Sequence, residues 1–232
     1  MREEFVSYQQ SRFNDLLSIE IADQQRKSGN SLERALQLLG PIFARHEMQN
    51  TWGLSLLHNH WTVEDGELPI QDITEDQSPR VLETLPRTAT FEKDFWPSIL
   101  AVSDGRTLQP LEFTSDESVR EANRILDRKP DFKKAICDTL VDNGLLHVYG
   151  LAVLRNVSDS KFQLVEFNYE GRISVLREAT AVEIEGKELI QTAWKLCPDE
   201  NMATCQASCF SQCIVPASGG GHTHAHPKAH KP

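Results

Sequence analysis

Apolar residues recur along this chain with two distinct periods, and the switches between them mark out its elements. Over residues 3–28, Phe5, Leu16, Leu17, Ile19 and Ile21 fall among polar neighbours at loosely helical spacing. Asn30, with Glu33 three residues on, signals a second helix that is expected to close near Gly40-Pro41. The period then drops to two. Residues 52–63 predict a strand with Leu54, Leu56, His58, His60 and Thr62 on one face and Leu57, Trp61 and Val63 on the other. Asp65-Gly66 predicts a tight turn that brings the chain back as a hairpin through 67–70.

Residues 72–90 are acidic and rich in Thr and Pro without periodicity, which predicts a long surface loop. A second hairpin is expected over 98–103 and 107–114 around Asp104-Gly105. A capping box at Thr114 and Glu117 starts a helix. Pro130 ends it and opens another over 131–142, which stops at Asn143-Gly144. Five β-rich stretches follow, at 145–155, 161–169, 172–178, 181–184 and 189–196, joined by short turns. The whole predicts an α+β fold, in which helical blocks alternate with two hairpins and a C-terminal antiparallel β-meander. Composition shifts after residue 197. A domain over 1–197 is therefore expected, with a Cys/His-rich appendage over 198–232 whose last part is disordered unless metal binds.

At 232 residues the chain is long enough to bury a core without disulfides. A net charge of −10 with no basic stripe argues against a nucleic-acid surface, which needs clustered Lys and Arg. The first residues carry no apolar stretch of the kind a secretory signal requires. Apolar runs reach only about five residues against the roughly 20 that span a bilayer, so no membrane association is expected. The expected location is cytoplasmic, where thiols stay reduced and clustered cysteines point to metal or redox use.

Candidate chemistry lies in three places. His58-Asn59-His60 followed by Glu64 is an H-x-H-x3-E pattern. Residues two apart on a strand point the same way, so two imidazoles and a nearby carboxylate can meet one ion. The pattern resembles the first metal motif of cupins, with His147 as the candidate fourth ligand from a later strand; the second cupin motif is absent around His147. The bland reading keeps His58 and His60 as hydrogen-bonded core histidines. Second, Cys205, Cys209 and Cys213 recur every fourth residue. On a helix that spacing puts three thiolates on one face, able to take Zn, Cu or Fe. Third, His222, His224, His226 and His230 form a loose, flexible string. A formal two-Cys, two-His zinc-finger match is rejected, because three glycines precede His222 and Pro227 follows His226. Glu166 alternates with apolar neighbours and is either a site carboxylate facing His147 or a cross-strand ion-pair partner.

The run Trp52-Gly-Leu-Ser-Leu-Leu-His58-Asn-His60-Trp61, the acidic turn at 64–67 and the Cys/Gly/His-rich end together resemble an uncharacterised filamentous-fungal protein family. That resemblance implies a fungal source and, by analogy, an accessory role in secondary-metabolite biosynthesis; it carries no activity. Three functions stay open. They are a metal-binding accessory protein using the three cysteines, a cupin-like metal-dependent enzyme using His58, His60 and Glu64, and a non-catalytic interaction protein.

Overall fold

The computed structural model describes residues 8–74, 81–88, 94–155, 164–198 and 205–215. Three helices open the chain: α1 (Gln10–Asn14), α2 (Ile19–Lys27) and α3 (Ser31–His46). Five strands follow: β1 (Trp52–Leu56), β2 (Glu67–Thr74), β3 (Val81–Thr88), β4 (Trp96–Val102) and β5 (Leu108–Thr114). Next come α4 (Glu117–Asp127), α5 (Pro130–Asp142), β6 (Tyr149–Val153), β7 (Leu164–Tyr169) and β8 (Ile173–Glu178). The short α6 (Ala181–Ile184), β9 (Leu189–Pro198) and β10 (Cys205–Ile214) complete the fold.

All ten strands join one closed barrel in the order β1-β6-β4-β5-β2-β3-β8-β7-β10-β9. Most pairs are antiparallel, but β2 with β5 and β10 with β7 run parallel. This overturns the α+β layout of separate hairpins and a meander. β1 does not return onto β2; it pairs with β6 and β9. The stretch expected to be a loop supplies the end of β2 and all of β3, which pair along eight residues from Glu67↔Thr88 to Thr74↔Val81. Residues 181–184 are helical, held by a capping box in which Thr180 accepts from the Glu183 amide and Glu183 reaches back to Thr180. β10, placed by composition in an appendage, is a barrel stave between β9 and β7. Among the described residues, closure leaves no strand at a free sheet edge, which is the physical gain over the predicted layout. The 98–103/107–114 hairpin and the helix opened by Pro130 are present as expected.

Two layers of apolar packing explain why β1 is buried at every position. Trp52, Leu54 and Leu56 face outward into a core shared with Leu39 and Phe43 of α3 and Ile136 of α5. Ser55 and Leu57 point the other way, into the lumen. Trp52 also donates its indole hydrogen to the Ala122 carbonyl of α4. At the lumen end, Phe13 of α1 packs with Leu57, Val63, Ala101 and Leu111. Arg12 and Gln10 bond the carbonyls of Val102 and Val63, so α1 is fastened to the barrel rim. Among the described residues, no helix is long and apolar enough to cross a membrane.

Gly150 faces Ser55 across the β1–β6 ladder. A Cβ there would collide with the Leu100 carbonyl and come within 2.7 Å of a Leu57 methyl. Gly150→Val is therefore expected to cost about 3 kcal/mol or more in urea unfolding, as overpacking against backbone does. Gly105→Ala, where the nearest atom stands at 3.6 Å, should change stability by less than about 0.5 kcal/mol.

Candidate metal centre

His58, Asn59 and His60 lie just past the end of β1, in a segment kept extended by its central residue. Asn59 makes a parallel bridge to Ser18, donates its backbone N–H to the Leu17 carbonyl at 3.0 Å and donates its side-chain amide to the Phe13 carbonyl at 3.0 Å. With Asn59 turned toward the helices, His58 and His60 both turn toward the barrel wall. Their rings stand edge to face, with centroids 4.8 Å apart.

The opposite wall is built by register. Cys213 of β10 pairs with Glu166 of β7. Asn168, two residues on, shares the face of Glu166 and pairs with Ser174 of β8. One donor atom each from His58, His60, Glu166 and Cys213 lies within 4.8 Å of all the others. His60 Nε2 is 3.3 Å from Cys213 Sγ and 3.5 Å from Glu166 Oε2, and His58 Nε2 is 3.7 Å from the same oxygen. Around a tetrahedral ion with bonds of about 2.1 Å to N or O and 2.3 Å to S, neighbouring donors lie roughly 3.4–3.6 Å apart. Three of the six separations, at 3.3–3.7 Å, lie close to those edges, and the group is of a kind that could hold a metal ion.

The polarity of the surrounding hydrogen bonds is set by groups that can only donate or only accept. His58 Nδ1 is 2.9 Å from the Leu56 carbonyl, so it carries a hydrogen and Nε2 faces Glu166. The Trp61 indole donates to Ser174 Oγ at 3.2 Å, and Ser174 donates to Asn168 Oδ1 at 2.8 Å. Asn168 Nδ2 then donates to His60 Nδ1 at 3.1 Å and toward Cys213 Sγ at 3.7 Å. Neutral His60 therefore carries its hydrogen on Nε2, between the carboxylate and the sulfur.

Charge balance follows from the same contacts. Burial lowers the His58 pKa, but the Glu166 carboxylate and the Leu56 carbonyl outweigh it and hold it above the ordinary imidazole value. Burial raises Glu166, yet His60 and His58 beside it hold that carboxyl well below its usual range. Burial, reinforced by Glu166, pushes the Cys213 thiol far up, so without an ion it stays protonated. Further along the lumen, burial and then Glu166 hold Glu112 at about 7.

The other predicted ligands lie elsewhere. Glu64 sits at the turn before β2 with its side chain 79% exposed, 3.8 Å from Arg172. Glu166, 102 positions later in the chain, stands where the pattern had put it. His147 is an exposed turn residue ahead of β6. The cysteines are on a strand rather than a helix, and there, four residues span roughly 13 Å, so three thiolates at that spacing cannot meet one ion. Cys209 bonds the Ser211 carbonyl at 3.3 Å; the Cys205 side chain and the histidines at 222, 224, 226 and 230 lie outside the described residues. The signal for Glu166 was its place among apolar neighbours in Leu164-Val165-Glu166-Phe167. For Cys213 there was no signal beyond the four-residue spacing.

No protein-family model matches the chain, and neither the curated proteins nor the solved structures contain a significant match. The geometry of the site is accordingly what speaks to function.

The His58–Glu166 pair has a defined pH window. A raised histidine contributes stability in full below its ordinary value of 6.5, and this is lost as pH climbs through the folded pKa. A depressed carboxyl contributes above its ordinary 4.5 and loses this as pH falls through its folded value. In chelator-treated protein, NMR titration should put His58 above 6.5, and Glu166→Gln should lower it, since burial is then opposed only by the Leu56 carbonyl and Glu112. An unchanged His58 titration in that variant would refute the assignment.

Proposed function

We propose that the protein binds one transition-metal ion between His58, His60, Glu166 and Cys213 and presents it to a small molecule inside the barrel. The observation that carries this reading is the convergence of two imidazoles, a carboxylate and a thiol within 4.8 Å of one another. His58 and Glu166 also line an internal cavity of about 90 Å³, several times the space one water needs. A nitrogen, oxygen and sulfur set favours zinc or a neighbouring first-row ion over magnesium or calcium. Bound there, such an ion would polarise a carbonyl or lower the pKa of a bound water. Loading releases the Cys213 proton. It also requires His60 to carry its hydrogen on Nδ1, which Asn168 can accept by turning its amide through half a revolution, its Nδ2 then reaching Ser174. The accessory role in fungal secondary metabolism suggested by the family resemblance fits a small-molecule site of this kind and is proposed with it.

A second reading has one observation in its favour. His60, with its hydrogen on Nε2 between Glu166 and Cys213, is already poised for metal-free proton transfer. Zinc titration separates the two. With the four tail histidines replaced by alanine to remove loose binding, one zinc should bind per chain. Glu166→Gln, Cys213→Ser and the double variant His58→Ala/His60→Ala should each abolish it, while His147→Ala and Cys209→Ser leave it intact. Asn168→Leu should weaken binding about 10–100-fold, the usual effect of removing a ligand's hydrogen-bond partner. Cobalt substitution should show a thiolate charge-transfer band that disappears in Cys213→Ser. Absence of stoichiometric uptake would leave the proton-transfer reading.

A further inference from the structure

The lumen holds a charged group that the ion site does not use. Arg155, two residues beyond β6, is 7% exposed, and neither Nη1 nor Nη2 has a hydrogen-bond partner among the described residues. Burying a guanidinium unpaired is costly, so a structure that keeps one needs a reason. Its side chain stands between the lumen and an outer cleft beside α4. Two carboxylates attract it through space, Asp116 and Glu112. Asp116 is engaged as the cap of α4, accepting from the Ser118 amide at 2.8 Å. Glu112 lines the lumen and lies within electrostatic reach of Arg155 as well as of His58 and Glu166.

A second polar group nearby is equally unspent. Ser98 of β4 lines the same cavity, is 3% exposed, and its hydroxyl has no partner. Ile99 pairs with Ala152, which brings Ser98 to the strand end from which Arg155 extends. Two guanidinium nitrogens and a hydroxyl, buried without partners on residues that line one cavity, match the two oxygens of a carboxylate. A phosphate dianion fits less well, because Glu112 and Glu166 share the chamber and repel added charge. Glu112, held at about 7, carries its proton for much of the time near neutrality and can then donate to the same anion.

We infer that Arg155 and Ser98 anchor the carboxylate of a small organic acid, with the rest of the molecule extending past Glu112 toward His58 and Glu166. This names the substrate class for the chamber read above as a ligand site, and it rests on that reading of the lumen.

The test uses the full chain, stripped of metal by chelation, with propionate as probe and calorimetry or saturation-transfer NMR as readout. Wild type should bind one propionate. Arg155→Gln should weaken this about tenfold or more, Arg155→Lys should restore part of it, and Ser98→Ala should cost about threefold or more. Inorganic phosphate at equal concentration should not displace the probe. No binding by wild type, equal affinity in Arg155→Gln, or displacement by phosphate would each overturn the inference. If Arg155→Gln loses its fold by circular dichroism, Arg155→Lys and Ser98→Ala decide, and wild-type affinity in both overturns it. Propionate bound through Arg155 by a protein that takes up no zinc keeps this inference and sinks the ion reading; zinc uptake without propionate binding does the reverse.

Discussion

Closure of the sheet between β1 and β9 is the constraint on which the rest depends. It is made by only two paired positions, Leu54↔Trp194 and Ser55↔Ala193. Strands in a sheet stand about 4.8 Å apart, so β1 and β9 as opposite edges of an open ten-stranded sheet would be some 40 Å from each other. Closed, they are neighbours, with β10 and β7 next in line. The histidine segment after β1 therefore faces Cys213 and Glu166 only because the seam is shut. The helices hold the seam from outside, where Trp194 of β9 packs in one core with Trp52, Leu54 and Tyr149.

Inside, the chain does something a simple core would not. It sets His58, Glu112 and Glu166, half-buried, and the buried Arg155 along one lumen, where each alone would be costly. Glu166 offsets its own burial with two imidazoles, and His58 offsets its own with that carboxylate. Arg155 has no such local settlement, and its neighbours act on it only at a distance. The lumen is thus balanced at the histidine end and open at the arginine end.

Local signals were readable in the sequence and distant ones were not. Pro130 at the first turn of α5 and Asn143-Gly144 at its end act within a few residues, and both elements stand where the pattern put them. The Asp104-Gly105 hairpin is of the same kind. The end of β2 and all of β3 were hidden by their acidic, Thr- and Pro-rich composition, and Pro86 of β3 sits directly opposite Pro69 of β2. Near them β2 meets β5 through a single pair and β3 has already left β8, so missing amide hydrogens cost little. The His-x-His half of the site was legible because its geometry is local, preserved by the Asn59 tether even though β1 ends at Leu56. Its carboxylate was sought six residues away when the fold brings it from β7. Cys213 was named as a ligand but given a helix and the wrong co-ligands, because spacing by four suits a helix as well as a strand, and only pairing with β9 and β7 decides between them. Arg155 reads in sequence as an ordinary polar strand end.

The order of the staves also bears on how the molecule comes into being. Leu54 finds its partner Trp194 on the penultimate strand, and β10 is the last to join. As the chain emerges from the ribosome, β1 must wait for nearly all that follows before both its edges are satisfied. Such distant pairing folds slowly and leaves apolar surface open in the meantime. The helices α1 to α3 are synthesised before β1, and Ile19, Leu39 and Phe43 on them belong to the core that Trp52, Leu54 and Leu56 enter. The N-terminal helices are thus synthesised in time to cover one face of β1, the strand on which the barrel later closes.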